Sequence, residues 1–246
     1  MRSILKKIVR RLFRNDRRAL EGLDSEHAEL ITSVIRDRLT YLSAAKLRSI
    51  VETCLQIEAS GLRGLFIEAG CALGGSTVVI GKLKNSASEL RVYDVFGMIP
   101  APTESDGKDV QKRYERIAAG KSRGIGGDRY YGYEENLVDT VKANLARYGI
   151  SVSTDNVKLI RGLLQDTMEI DHPVVFAHID VDWYEPVRTC LERLVPNLAA
   201  GGVIILDDYH DWSGCRRAVD DFFADKRDEF RFDDSAGSLK VQKRFD

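Results

Sequence analysis

The chain has 246 residues, 43% of them hydrophobic and 30% charged, with 37 Lys and Arg against 38 Asp and Glu and a formal net charge of −1. This length supports a full core, most simply one domain with a decorated edge, and the near-neutral balance argues against nucleic acid, which demands a basic surplus on one face. Four dispersed cysteines (Cys54, Cys71, Cys190 and Cys215) form no CxxC or Cys/His cluster, so reduced thiols in a cytoplasmic protein are expected rather than a zinc site or disulfide framework.

The opening segment MRSILKKIVRRLFRNDRR places Ile4, Leu5, Ile8, Val9, Leu12 and Phe13 on one helical stripe, with Lys6, Lys7, Arg10, Arg11, Arg14 and Arg17 around the rest. Residues 1–18 are therefore predicted as a basic amphipathic helix, too interrupted for a signal peptide or a bilayer span. Two readings stay open: docking on the anionic inner face of a membrane, or packing on the body or on a partner subunit. Residues 25–60 read as two further helices, the second carrying Leu47, Ile50, Val51, Cys54 and Leu55 on one face. Residues 1–60 thus form a helical extension ahead of a domain spanning 61–246.

In that domain GLFIEAG (64–70) reads as a buried strand, GGSTVVIGKLK (74–84) as a helix and ELRVYDV (89–95) as a second strand. Gly70, Gly74 and Gly75 let the backbone turn tightly and approach a ligand, although GxGxxG itself has no match. Asp94 closes the second strand, where a carboxylate can hold a ribose diol; the adenosine of S-adenosylmethionine or of NAD satisfies that geometry equally.

Residues 96–132 carry Pro100, Pro102, Gly107, Gly120, Gly124, Gly126 and Gly127 among charges, with little sustained periodicity. Such length marks a functional lid rather than a connection. Tyr130, Tyr131 and Tyr133 at its end are read as anchors of the lid in preference to a stacking platform for a sugar. YEENLVDTVKANLARYG (133–149) is a helix stopped by Gly149, and NVKLIRG (156–162) the next strand.

Two later segments, FAHIDVDWYEP (176–186) and GGVIILDDYHD (201–211), are apolar runs that stop on closely spaced aspartates. Desolvating uncompensated carboxylates costs several kcal/mol each, so Asp180, Asp182, Asp207 and Asp208 at adjacent strand ends point to a divalent cation site. PVRTCLERLVPNL (186–198) is the helix between these strands, with Pro186 in its first turn. A helix near 213–223 precedes a closing hairpin of 230–234 and 238–245. His178 lies within a strand and is expected in the core; His210 and Asp211 either touch substrate or start the next helix. Alternating strands and helices predict an α/β, doubly wound, mostly parallel Rossmann-like sheet with helices on both faces, whose ligands lie beyond the carboxyl strand ends.

Taken in order, EAGxxxGGS, YDVFGMIPAP (93–102), RGLLQDT (161–167), HIDVDWYEP and GGVIILDDYHDWSGCRRAVDDF (201–222) resemble the macrocin and novobiocin-sugar O-methyltransferase family over about residues 60–225. The resemblance implies the class I methyltransferase fold, S-adenosylmethionine and Mg²⁺ as cofactors, and methylation of a sugar hydroxyl on a glycosylated natural product or glycan. Position by position it implies Glu68, Gly70, Ser76 and Asp94 around the methionine and ribose, and Gly162, Leu163 and Gln165 near adenine. It further implies Asp180, Asp207 and Asp208 as magnesium ligands, leaving Asp182 as the base. Self-association is common among such relatives, and an NAD-dependent oxidoreductase or sugar-nucleotide modifier on a similar sheet is the alternative.

A sugar hydroxyl is a poor nucleophile until its proton leaves or a Lewis acid binds its oxygen. Magnesium is a hard octahedral ion, and three carboxylates leave positions for water and two substrate oxygens; a vicinal diol is therefore the expected acceptor. Asp182, beyond the strand end, is expected to reach the reacting hydroxyl, or else to serve as an N-terminal carboxylate of the helix at Pro186.

Overall fold

The structure, a computed structural model, describes residues 18–245. The predicted amphipathic helix of 1–18 falls outside the described residues except for Arg18. Ahead of the sheet lie α1 (Ser25–Arg36) and α2 (Ala44–Ser60). Each starts on a side-chain cap, Asp24 accepting from the backbone N–H of Glu26 and His27 and Ser43 from that of Lys46, and α2 stops at Gly61 with φ of 75°.

The sheet then builds through β1 (Leu65–Ala69), α3 (Gly75–Leu83), β2 (Leu90–Asp94), α4 (Lys108–Ala118), α5 (Leu137–Arg147) and β3 (Val157–Arg161). It continues through α6 (Leu164–Thr167), β4 (Val174–Ile179), α7 (Tyr184–Leu194), β5 (Leu198–Leu206), α8 (Ser213–Phe223), β6 (Phe230–Asp233) and β7 (Leu239–Lys243). Strand order is β3-β2-β1-β4-β5-β7-β6. The first five strands are mutually parallel and β7 is antiparallel to both neighbours. Central β1 and β4 are buried along their whole lengths, as a strand covered on both faces must be.

Helices cover both faces. On one, Ile31 and Val34 of α1 and Leu47, Ile50 and Cys54 of α2 share an apolar cluster with Phe66, Val92 and Phe176. On the other, Val187 and Leu191 of α7 and Ala218 and Phe223 of α8 pack with Ile67, Ala177 and Ile204. The two helices of 25–60 are thus part of the main core, although they precede the first strand. Among the described residues no helix is long and apolar enough to cross a membrane.

The doubly wound sheet, the closing hairpin and the predicted strand positions all stand. The stretch 96–132 departs from the expectation of little regular structure, because it contains α4. Only Val110 and Ile117 of α4 are buried, an apolar stripe so thin within KDVQKRYERIA that its 3.6-residue period is easily overlooked.

Register decides what meets at the strand ends. Ala69 lies level with Tyr93 and with Ile179, and Ile179 with Leu206. The next residues, Gly70, Asp94, Asp180 and Asp207, consequently leave the sheet side by side at the reversal of strand order between β1 and β4, where open α/β sheets bind ligands.

Candidate active site

A cavity of about 860 Å³, including its open mouth, lies over these strand ends, within the ~300–1,000 Å³ of small-molecule clefts. It is lined by Gly70, Asp94, Gly162, Leu163 and Gln165, by Asp180, Asp182 and Trp183, and by Ile99, Pro100 and Pro102 of the lid. Gly70 has φ of 81°, and a Cβ there would stand 1.9 Å from the Asp180 carbonyl oxygen. Only glycine permits this closeness of the β1 and β4 ends. Asp94 Oδ2 accepts from the Cys71 N–H at 2.8 Å and Oδ1 from the Phe96 N–H at 2.7 Å. Burial raises its pKa while these amides favour its charge. Each oxygen keeps a lone pair for a further donor.

Glu68 and Ser76 do not line this cavity. Glu68 is fully buried, accepting from the Thr77 hydroxyl and lying 3.2 Å from Nδ1 of His178; Ser76 is buried in the first turn of α3. His178 is a core residue, as expected from its strand position.

Asp180, Asp207 and Asp208 each present an oxygen within 4.8 Å of the others. Desolvation, then the charge of Asp207, pushes the Asp180 carboxyl well above its ordinary pKa; desolvation, then Asp182, Asp180 and Asp207, does the same to Asp208. Oδ1 of Asp207 is buried without a hydrogen-bond partner. Crowded carboxylates with an orphaned oxygen are the electrostatics of a cation site, since a hard divalent ion takes oxygen ligands and removes the repulsion.

Asp182 has φ of 58°, a left-handed conformation that Asp tolerates better than most residues. Its N–H donates to Asp208 Oδ2 at 3.0 Å, which fixes the loop to the three-carboxylate group. Desolvation raises its pKa to about 6, with Arg113 working against the rise and Asp207 adding to it.

Lys46 of α2 is a member of the site that sequence reasoning missed. Its Nζ lies 2.9 Å from Asp207 Oδ2, 3.1 Å from the Asp207 carbonyl oxygen and 2.9 Å from Asp211 Oδ2. Desolvation disfavours the ammonium, but Asp207 and Asp211 outweigh it and hold its pKa above the usual lysine value. The partners are 161 and 165 residues apart in sequence, so no local spacing announces them. Lys46→Met strands a buried carboxylate, and in urea denaturation it is expected to cost roughly 3 kcal/mol.

His210 pairs with Asp234 at 3.2 Å and Asp211 with Lys46, so neither lines the cavity. Tyr133 anchors the lid, its hydroxyl donating to the Ile117 carbonyl at 2.6 Å. Tyr130 is buried beside it with Arg113 5.7 Å from its ring centroid. Tyr131 alone of the three lines the cavity.

This sheet, with its crevice at the reversal of strand order, is the α/β fold of class I methyltransferases. The O-methyltransferase NovP superposes with a TM-score of 0.70 at 21% identity, over 85% of this chain and 83% of that one. A Bacillus cereus O-methyltransferase in complex with SAH does so at 0.55 and 16% identity, over 94% and 96%. The family model described as macrocin-O-methyltransferase (TylF) matches residues 8–230, and the chain belongs to that family. It is 30% identical over 183 residues to the 8-demethyl-8-(2,3-dimethoxy-alpha-L-rhamnosyl)-tetracenomycin-C 4'-O-methyltransferase of Streptomyces olivaceus, covering 72% of this chain and 63% of that protein's length. It is 25% identical over 214 residues to the demethyldecarbamoylnovobiocin O-methyltransferase of Streptomyces niveus, covering 82% and 75%.

Proposed function

We propose that this chain is an S-adenosylmethionine- and Mg²⁺-dependent O-methyltransferase acting on a hydroxyl of a vicinal diol in a sugar, carried by a glycosylated small molecule or a glycan. The observation that carries the reading is the convergence of Asp180, Asp207 and Asp208, with the orphaned Asp207 Oδ1, beside a cavity bordered by Gly70 and Asp94. The sugar acceptors named for the two Streptomyces relatives support the acceptor class, and family membership favours the sulfonium donor over a nicotinamide cofactor.

When bound, S-adenosylmethionine supplies an electrophilic methyl group, and Mg²⁺ a Lewis acid that acidifies the acceptor hydroxyl. In this reading Asp180, Asp207 and Asp208 hold the ion and Asp94 accepts from the ribose hydroxyls. Leu163 and Gln165 flank the adenine. Asp182 receives the proton released as the ether forms, and a carboxylate whose pKa lies near 6 is better matched to that task than an ordinary aspartate. Ile99, Pro100 and Trp183 exclude water from the cavity, which strengthens every charge interaction inside it.

The test is thermal and chemical together. S-adenosylmethionine is expected to raise the melting temperature where NAD does not. Incubation with the donor, MgCl₂ and a panel of α-L-rhamnosides is expected to add one methyl group, as read by mass spectrometry. Full activity in EDTA rules out the metal. For residues 1–18 both alternatives stand, packing on the body or on a partner subunit and docking on an anionic membrane, the second of which would bring the enzyme to lipid-linked or cell-surface acceptors. In that second case their deletion is expected to abolish cosedimentation with phosphatidylglycerol vesicles; unchanged cosedimentation removes it.

A further inference from the structure

The two helices that follow the acidic loops share an unusual arrangement at their starts. Neither α7 nor α8 is capped by the side chain of its own N-cap residue, Trp183 or Trp212, although a helix leaves its first N–H groups unsatisfied. Both caps come instead from the lid. Asp106 Oδ1 accepts from the Tyr184 N–H at 2.8 Å, and Asp109 Oδ2 from the Ser213 N–H at 2.9 Å.

Asp106 is built for this position. It is buried, and its second oxygen accepts from the Thr103 N–H at 3.0 Å, so one carboxylate ties the lid turn to α7. A Cβ on Gly214 would come within 2.2 Å of Asp106 Oδ1, so the start of α8 leaves just enough room for the carboxylate. Trp183 adds a second tie, Nε1 donating to the Pro100 carbonyl at 3.1 Å.

Between these ties lies Asp182. Its left-handed backbone is held on the N-terminal side by its own N–H on Asp208 and on the C-terminal side by the Tyr184 N–H on Asp106. Strained backbone persists only where surrounding contacts over-determine it. We propose that Asp106 is a positioning residue: by capping α7 from the lid, it makes closure of the lid and placement of Asp182 a single event. This rests on Asp182 being the proton acceptor for its consequence in catalysis, but not for the structural coupling itself. Catalysis then becomes competent only when the lid is seated, since an open lid releases the α7 start and with it the loop that carries the base.

The test follows individual backbone amides by hydrogen exchange in the full chain. In Asp106→Ala, exchange of the Tyr184 amide is expected to accelerate about five- to tenfold, the worth of a helix cap. The Asp182 amide should accelerate with it, and Trp183 emission should shift to the red. Asp106→Asn keeps a carbonyl that accepts from Tyr184 but turns an NH2 toward the Thr103 N–H, and is expected to recover part of the protection of both amides. Loss of protection at Tyr184 alone, with Asp182 and the emission unchanged, reduces Asp106 to a local cap and overturns the proposal; so does Asp106→Asn behaving like Asp106→Ala. Should Asp106→Ala fail to fold, the same amides are followed in Asp109→Ala, which cuts the neighbouring tie and leaves Asp106 in place. There the Ser213 amide is expected to accelerate while Asp182, still held through Asp106, keeps its protection; acceleration at Asp182 in that variant overturns the assignment to Asp106. None of these readouts requires methyl transfer or a metal, so a chain that methylates no sugar leaves this test intact and fails only the activity reading.

Discussion

Asp182→Asn is expected to lower kcat by about a thousandfold, within the range that general-base assistance contributes, while S-adenosylmethionine binding stays near the wild-type value. The substitution keeps size and shape and removes only the capacity to take a proton. It also keeps the backbone: Asn adopts the left-handed conformation that Asp182 occupies at φ of 58°, and the N–H bonded to Asp208 Oδ2 is untouched. Thermal stability should rise slightly, because the change deletes one of several desolvated carboxylates that repel one another. Loss of rate with gain of stability is hard to reach by misfolding, which makes the pair of measurements decisive. The competing role, a carboxylate capping the following helix, predicts the opposite pair, with stability lost and kcat kept. Geometry already weighs against it, since the first amide of α7 is bonded to Asp106. Initial rates by mass spectrometry and a melting curve separate the two, and a kcat within a few-fold of wild type assigns the proton to another group.

What was legible in the sequence is what local chemistry encodes. Apolar runs ending on Asp94, Asp180 and Asp207–Asp208 mark the carboxyl ends of strands, because a carboxylate at the edge of a buried layer is costly unless a partner answers it. The positive φ of Gly70 and the turn at Gly237 follow from glycine's freedom where a Cβ would collide or strain. What was not legible depends on distance or on thin signals. Lys46 sits on α2 beside the core-facing Leu47, and nothing in that stripe announces that its ammonium meets Asp207 across the molecule. The acidic cluster therefore reads in sequence as wholly uncompensated, whereas in the fold one lysine already answers part of it. Helix α4 was hidden by its two-residue buried face. Asp106 and Asp109 look like ordinary lid acids until α7 and α8 are seen to lack caps of their own. Glu68 illustrates the reverse limit: the family resemblance implied a place around the methionine and ribose, and in the fold its carboxylate is buried with Thr77 and His178 as partners.

Asp180→Asn is expected to melt above wild type without metal and below it with Mg²⁺, and to abolish methyl transfer. In the metal-free chain Asp180 is desolvated and faces Asp207, and its carboxyl is pushed well above the ordinary aspartate range. Charging it near neutral pH therefore costs folding energy, and neutralising it by substitution returns that energy, on the order of 1 kcal/mol per unit of pKa displaced. In EDTA the variant should accordingly melt higher than wild type. With Mg²⁺ the order reverses. A ligand that binds only the folded state stabilises it by about 2.7 kcal/mol at a hundred times its dissociation constant, and wild type gains that increment while the variant, short of one anionic oxygen ligand, gains little. Lys46 sharpens the contrast, because its ammonium already neutralises Asp207 Oδ2 at 2.9 Å. The charge left for an incoming cation therefore rests chiefly on Asp180, Asp208 and the free Oδ1 of Asp207. Melting curves of both proteins, with EDTA and with MgCl₂, read out the four states directly. A cluster that served the fold alone would give a variant less stable than wild type in EDTA and no response to magnesium in either protein, and that result would remove the metal from the mechanism while leaving the fold and the family untouched.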